Sequence, residues 1–210
     1  MLLIAYLLAV RMLLIFSYNL DLDGLEYYFV YFMQRVFNGT PIYTNPESFP
    51  YSDFLYTPIY IYSCSLLIWI SKLNIFNDVH QVYILARSFS FLLVMCQLVY
   101  FKKIINKITG SFFHYLIVIS MYLLLLNGHI FAIRPDALKV LLFSIFFFHL
   151  IQFSFFTHIK KDAVLAVIVG LLAVYTKQDI VIHISICLIT LLFFKREKIV
   201  FYLVGSFFLS

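Results

Sequence analysis

Charge is what this chain has least of. Only 12% of its 210 residues are Asp, Glu, Lys or Arg, and ten of them are acids. With 64% hydrophobic residues and a mean hydropathy of +0.99, a water-soluble fold would leave apolar side chains facing solvent. Cysteine is also scarce: Cys64, Cys96 and Cys187 sit singly inside apolar runs. Without CxxC spacing they form neither a disulfide framework nor a metal site, and read as small buried or lipid-facing thiols. The histidines, His80, His114, His129, His149, His158 and His183, are dispersed without metal-ligand spacing, so nothing calls for a metal or other cofactor. No basic n-region precedes MLLIAYLLAVRMLLIF, and Arg11 interrupts that run, which favours a retained first helix over a cleaved signal peptide. No internal repeat or low-complexity linker divides the chain, so 1–210 reads as a single membrane domain. The net charge of +5 comes from short basic clusters between apolar runs, a pattern of membrane loops and not of nucleic-acid binding.

What is present is a series of apolar runs, at about 2–18, 56–71, 83–101, 111–127, 137–157, 162–176, 180–194 and 199–210. Several approach the ~20 residues that span a bilayer. The spacing predicts an all-α polytopic bundle of about six or seven spanning helices. Basic clusters at Lys102/Lys103/Lys107, Lys160/Lys161 and Lys195/Arg196/Lys198 are separated by pairs of runs, so all three fit cytoplasmic loops together. The reversals near 128–136 and 176–180 then lie outside.

Segment 56–71 decides the side of the first loop. If it spans, the loop at 19–55 is cytoplasmic. If it lies in the interface, the extracytoplasmic loop runs from 19 to 82. Eight acids are then external: Asp21, Asp23, Glu26, Glu47, Asp53, Asp78, Asp136 and Asp179. Its Thr57-Pro58 start, its tyrosines and Trp69 favour the interface. Residues 24–38 read as a second interfacial helix, with Asp23 as N-cap and Glu26 at N3 of a capping box. Leu25, Phe29, Phe32 and Val36 share one face, and Tyr31, Arg35 and Asn38 another. Gly39 fits the C′ position and Pro41 blocks continuation.

The residues able to do chemistry cluster at helix ends. Asp21 and Asp23 follow the first apolar run. Each reads either as solvation and capping or as a general base that deprotonates an acceptor hydroxyl. Asp136 suits a helix N-terminus and has Lys139 one turn below as an ion-pair partner. Arg134 lies away from the basic clusters, where a guanidinium suits bidentate contact with a phosphate. Lys177, in the charged turn Lys177-Gln178-Asp179, breaks the positive-inside trend and suggests a local anionic partner. Arg87, a few residues into its run, either snorkels to the interface or meets an anion. Asn38-Gly39-Thr40 matches a glycosylation acceptor, and a helix C-terminus explains it equally.

In order along the chain, these residues resemble the GT-C superfamily of polytopic glycosyltransferases, of the protein O-mannosyltransferase and aminoarabinose-transferase type. The acidic exit from the first helix leads to Gly39-Thr-Pro-Ile-Tyr43, then to Tyr56-Thr57-Pro58-Ile59-Tyr60, then to Ala86-Arg87-Ser88. Arg134-Pro135-Asp136 and Thr176-Lys177-Gln178 follow at two later turns, so the match covers about residues 15–180. The resemblance implies membrane-parallel jaw helices in the first external loop, a polyprenyl-phosphate sugar donor, and an active site on the extracytoplasmic face of the plasma (inner) membrane. It implies a catalytic base at the exit of the first helix, with Asp23 and Asp21 as candidates and Glu26 third. Glu26, Arg87, Arg134, Asp136 and Lys177 are then the expected substrate-binding residues. The acceptor, whether glycan, lipid or protein, stays open. Members of this type are usually longer, so the chain is expected to be an N-terminal portion. The alternative is a non-catalytic membrane protein: a transporter, a lipid-linked-sugar carrier or an inactive truncated relative.

Overall fold

A computed structural model describes residues 2–17, 25–43, 58–125 and 132–195. Asp21 and Asp23, the aromatic segment before Pro58 and the run 199–210 lie outside them. Among the described residues all regular structure is helical. The elements are α1 (Leu2–Ile15), α2 (Glu26–Phe37), α3 (Ile59–Ser71), α4 (Val79–Ile108), α5 (Phe112–Leu125), α6 (Asp136–Ile151), α7 (Lys160–Val174) and α8 (Ile180–Lys195). A π-helical turn, Gln152–Thr157, prolongs α6.

Two of these helices are long and apolar enough to cross a membrane: α4, and α6 with its π-helical extension. Their 30 and 22 residues correspond to ~45 and ~33 Å, against a hydrocarbon core of ~30 Å. α3, with 13 residues, is shorter than the ~20 a spanning helix needs. α1, α5 and α8 are also apolar and short, and each ends at or near the border of the described residues. Large apolar side chains lie on the outer surface, among them Leu66, Trp69, Phe113, Met121, Ile182 and Ile186. So much exposed apolar surface is uncommon on a soluble monomer.

α4 and α6 form the spine. One core joins α2, α3, α4, α5 and the first half of α6 around Phe29, Met33, Ile61, Val82, Val94 and Ile133. A second joins the rest of α6 to α7 and α8 around Phe146, Leu150, Ala166, Ala173, Ile184 and Leu188. α7 turns Ala163, Ala166, Gly170 and Ala173 inward. Small residues at this spacing let backbones approach, the usual means of joining helices where lipid replaces water.

Four local features differ from the sequence expectation. Leu25 stands at the N-cap position of α2 without a side-chain cap bond, so Glu26 begins the helix and is not at N3. Its carboxylate turns inward to a buried cation. Arg35, expected on a face apart from Phe29 and Phe32, is buried as they are, with its guanidinium 5.9 Å from the Tyr31 ring centre. Lys102, Lys103 and Lys107 are not in a loop but on the last turns of α4. No breaker intervenes before Gly110, whose φ of +65° follows the helix end. Lys160 and Lys161 likewise begin α7.

The C-terminus of α2 follows the expectation. Gly39 has a φ of +67°, its N–H bonds the Val36 carbonyl at 3.1 Å, and the Thr40 N–H bonds Arg35 at 3.0 Å. This paired closure needs a left-handed residue at C′. A Cβ on Gly39 would meet nothing within 4 Å, so only backbone conformation resists substitution. Gly39→Ala is therefore expected to lower stability by ~1 kcal/mol, read as a lower thermal midpoint in mild detergent. An unchanged midpoint would mean that the turn rearranges.

Candidate functional site

The buried polar side chains of α4 lie on one stripe, with Val94 between them. Tyr83, Arg87, Ser90, Val94 and Gln97 are spaced by four, three, four and three residues, and all are buried. Helical periodicity places such residues on one face. That face meets α2, α3 and the entry to α6.

Arg87 is the deepest charged residue there, fully buried with Glu26. Its Nη2 lies 2.6 Å from Glu26 Oε2 and its Nε 3.1 Å from Glu26 Oε1, a two-pronged ion pair. Glu26 Oε1 also accepts the Ile133 N–H at 3.0 Å. Arg87 Nη1 donates to the Ser17 carbonyl at 3.4 Å, and the guanidinium lies 5.2 Å from the Tyr83 ring centre. The arginine therefore does not snorkel to a lipid interface. A planar fork with five donors suits this site, where a single ammonium would leave acceptors unmet.

The segment from Ala132 to Ala137 is tied at two further points. Ser90 Oγ donates to the Ala132 carbonyl at 3.0 Å and shares a 3.1 Å hydrogen bond with Tyr60 Oη of α3. Gln97 donates to the Ala137 carbonyl and accepts from Tyr122 of α5. Every one of these groups is removed from solvent, where a missing partner costs ~1–3 kcal/mol. The turn preceding α6 is thus gripped by side chains from α2 and α4.

That turn presents the second charged centre. Asp136 opens α6, at the positive end of the helix dipole. Lys177 Nζ lies 2.8 Å from Asp136 Oδ1, Lys139 Nζ lies 3.3 Å from the same oxygen, and Arg134 Nε lies 3.1 Å from Oδ2. The Arg134 contact is one of charge, without hydrogen-bond alignment. Lys139 also reaches Asp179 at 3.0 Å, and Lys177 reaches it at 3.9 Å. Among the described residues, three cations thus face two carboxylates between the start of α6 and the α7–α8 turn. Guanidinium and ammonium groups gathered in this way are of the kind that bind anionic groups by charge and N–H donation together.

The structure brings five expected residues to two adjoining places. Glu26 and Arg87 form the buried pair, and Arg134, Asp136 and Lys177 form the partly exposed cluster. Ile133, bonded to Glu26, directly precedes Arg134. Sequence reasoning missed Ser90, Gln97 and Tyr122, and named Tyr60 only as part of the aromatic segment at 56–60. The available signal was Gln97, an amide inside an apolar run, because such a group at depth needs a partner. Among the described residues, no group of three or more His, Cys, Asp or Glu could hold a metal ion. No family model matches the chain, and no curated protein or solved structure matches it either.

Proposed function

We propose that the chain is a portion of a polytopic membrane glycosyltransferase of GT-C type, with about six or seven spanning helices. In this reading α2 and α3 are the jaw helices of an extracytoplasmic loop at 19–82, facing the outside of the plasma (inner) membrane. An acceptor hydroxyl loses its proton to Asp23 or Asp21 and its oxygen bonds to the anomeric carbon of a polyprenyl-phosphate sugar. The bond from that carbon to phosphate oxygen breaks, and the lipid phosphate leaves with the electron pair. Arg134 and Lys177 neutralise the charge gained by the phosphate.

One observation carries this reading. Arg87 bonds Ser17 and Glu26, the two sides of the stretch that contains Asp21 and Asp23. Only Gly24 and Leu25 separate Asp23 from Glu26, three residue steps that span at most ~11 Å when extended. Glu26 in turn bonds the residue preceding Arg134. A base and a phosphate-binding cluster on opposite sides of a sugar need this kind of shared anchor. In this reading Glu26 and Arg87 are positioning residues, and Arg134, Asp136 and Lys177 form the anion site.

The test is sugar transfer by membranes carrying the full-length gene product, supplied with polyprenyl-phosphate sugars. Replacing Asp21 and Asp23 together by Asn is expected to lower transfer at least ~100-fold, the lower range for loss of a general base. Transfer unchanged in that double variant would remove the assignment.

A further inference from the structure

At the other end of α6, a groove of about 590 Å³ opens between the last turn of α4, the α6 extension and α8. Its wall is almost wholly apolar, with Leu150, Phe155, Phe156, Ile186 and Leu191 prominent. Two lining residues carry strongly polar groups. Thr190 is satisfied within its own helix, donating to Ile186 at 2.7 Å. Lys107 is exposed at the rim, its Nζ 5.1 Å from the Phe156 ring centre. Leu150 is fourteen residues below Asp136 on the same helix, or ~21 Å along its axis. The groove is therefore separate from the cluster around Asp136.

The π-helical turn shapes this groove. Its extra residue per turn changes the phase of the helix, and both Phe155 and Phe156 emerge half-exposed where the groove opens. The same end of the bundle bears Lys102, Lys103, Lys107, Lys160 and Lys161, all exposed. Asp162, the acid at the start of α7, is bound by His149 and Thr157, each at 2.9 Å. Basic residues beside an apolar slot between membrane helices match an anionic lipid, whose chain needs the slot and whose head group needs the cations.

We propose that this groove binds one anionic glycerophospholipid, an acyl chain lying along Leu150, Phe155 and Ile186 and the head group at Lys107. The volume lies in the range of pockets that enclose small ligands, ~300–1,000 Å³. Nothing in this assignment depends on sugar transfer.

Native mass spectrometry tests it, using the full chain equilibrated with equal amounts of phosphatidylglycerol and phosphatidylcholine. One retained lipid is expected, with phosphatidylglycerol favoured about fivefold, the contribution of one lysine near an anionic head group. Lys107→Glu, at an exposed position, is expected to abolish the preference. Cys187→Trp, which fills the groove, is expected to abolish retention, with circular dichroism confirming that the helices persist. No retained lipid, equal retention of the two lipids, or a preference unchanged in Lys107→Glu would each overturn the proposal. A dimer mass in place of bound lipid would assign the groove to a second copy, and would overturn it too.

Discussion

Arg87→Met is expected to destabilise the protein by ~3–5 kcal/mol, the cost of leaving a buried partner charge uncompensated. Glu26 is wholly buried, and it would lose both prongs of its ion pair. Water cannot replace the guanidinium between α2, α4 and α6. The double variant Glu26→Met/Arg87→Met separates the pair from its parts. Apolar replacement of a buried ion pair is often near neutral. Here the Ile133 N–H would still lose its acceptor, at ~1–3 kcal/mol. The double variant is therefore expected to be more stable than Arg87→Met alone, yet less stable than the native protein. Unfolding in mixed detergent micelles measures all three. A double variant no more stable than Arg87→Met, or a loss below ~1 kcal/mol for Arg87→Met, would show that the pair is not the anchor described above.

Joint replacement of Arg134 and Lys177 by Ala is expected to lower sugar transfer by ~10²–10³, the range for removing preorganised charge stabilisation. The effect should fall on kcat more than on KM, because the phosphate gains charge only as the bond to the sugar breaks. Arg134→Lys should retain charge and lose the planar fork, giving an intermediate rate. A purely structural role would lower the thermal midpoint in proportion to activity. Asp136 keeps Lys139 at 3.3 Å in the double variant, so its carboxylate stays paired and the fold should survive. A rate unchanged in the double variant would move the anion site elsewhere.

The features legible in the sequence were those governed by local chemistry. Gly39 followed by Pro41 marked the end of α2, because only a left-handed residue allows that closure. Lys139, one turn after Asp136, was expected to meet it, and does so at 3.3 Å. Less legible were features decided by distant partners. Glu26 looked like a capping residue because its true partner is 61 positions away. Arg87 looked equally able to snorkel or to bind an anion, and tertiary packing decided between them. Gln97 was passed over among apolar neighbours, although its bonds to Ala137 and Tyr122 tie α4 to α6 and α5. The lysines after Phe101 suggested a loop, but charge alone does not end a helix. Long lysine side chains can lie along aromatic rings, as Lys103 does 4.7 Å from the Tyr100 ring centre. The π-helical turn leaves no Pro or Gly in Gln152–Thr157 to announce it.

The most direct measurement follows both products of one reaction. Full-length protein, a polyprenyl-phosphate sugar of defined anomeric configuration and a hydroxyl acceptor are incubated, and the products are read by NMR and lipid mass spectrometry. Direct displacement by a deprotonated hydroxyl requires one polyprenyl phosphate released per sugar transferred, with the anomeric configuration inverted. Retained configuration, or sugar transferred without release of the lipid phosphate, would contradict the proposed mechanism.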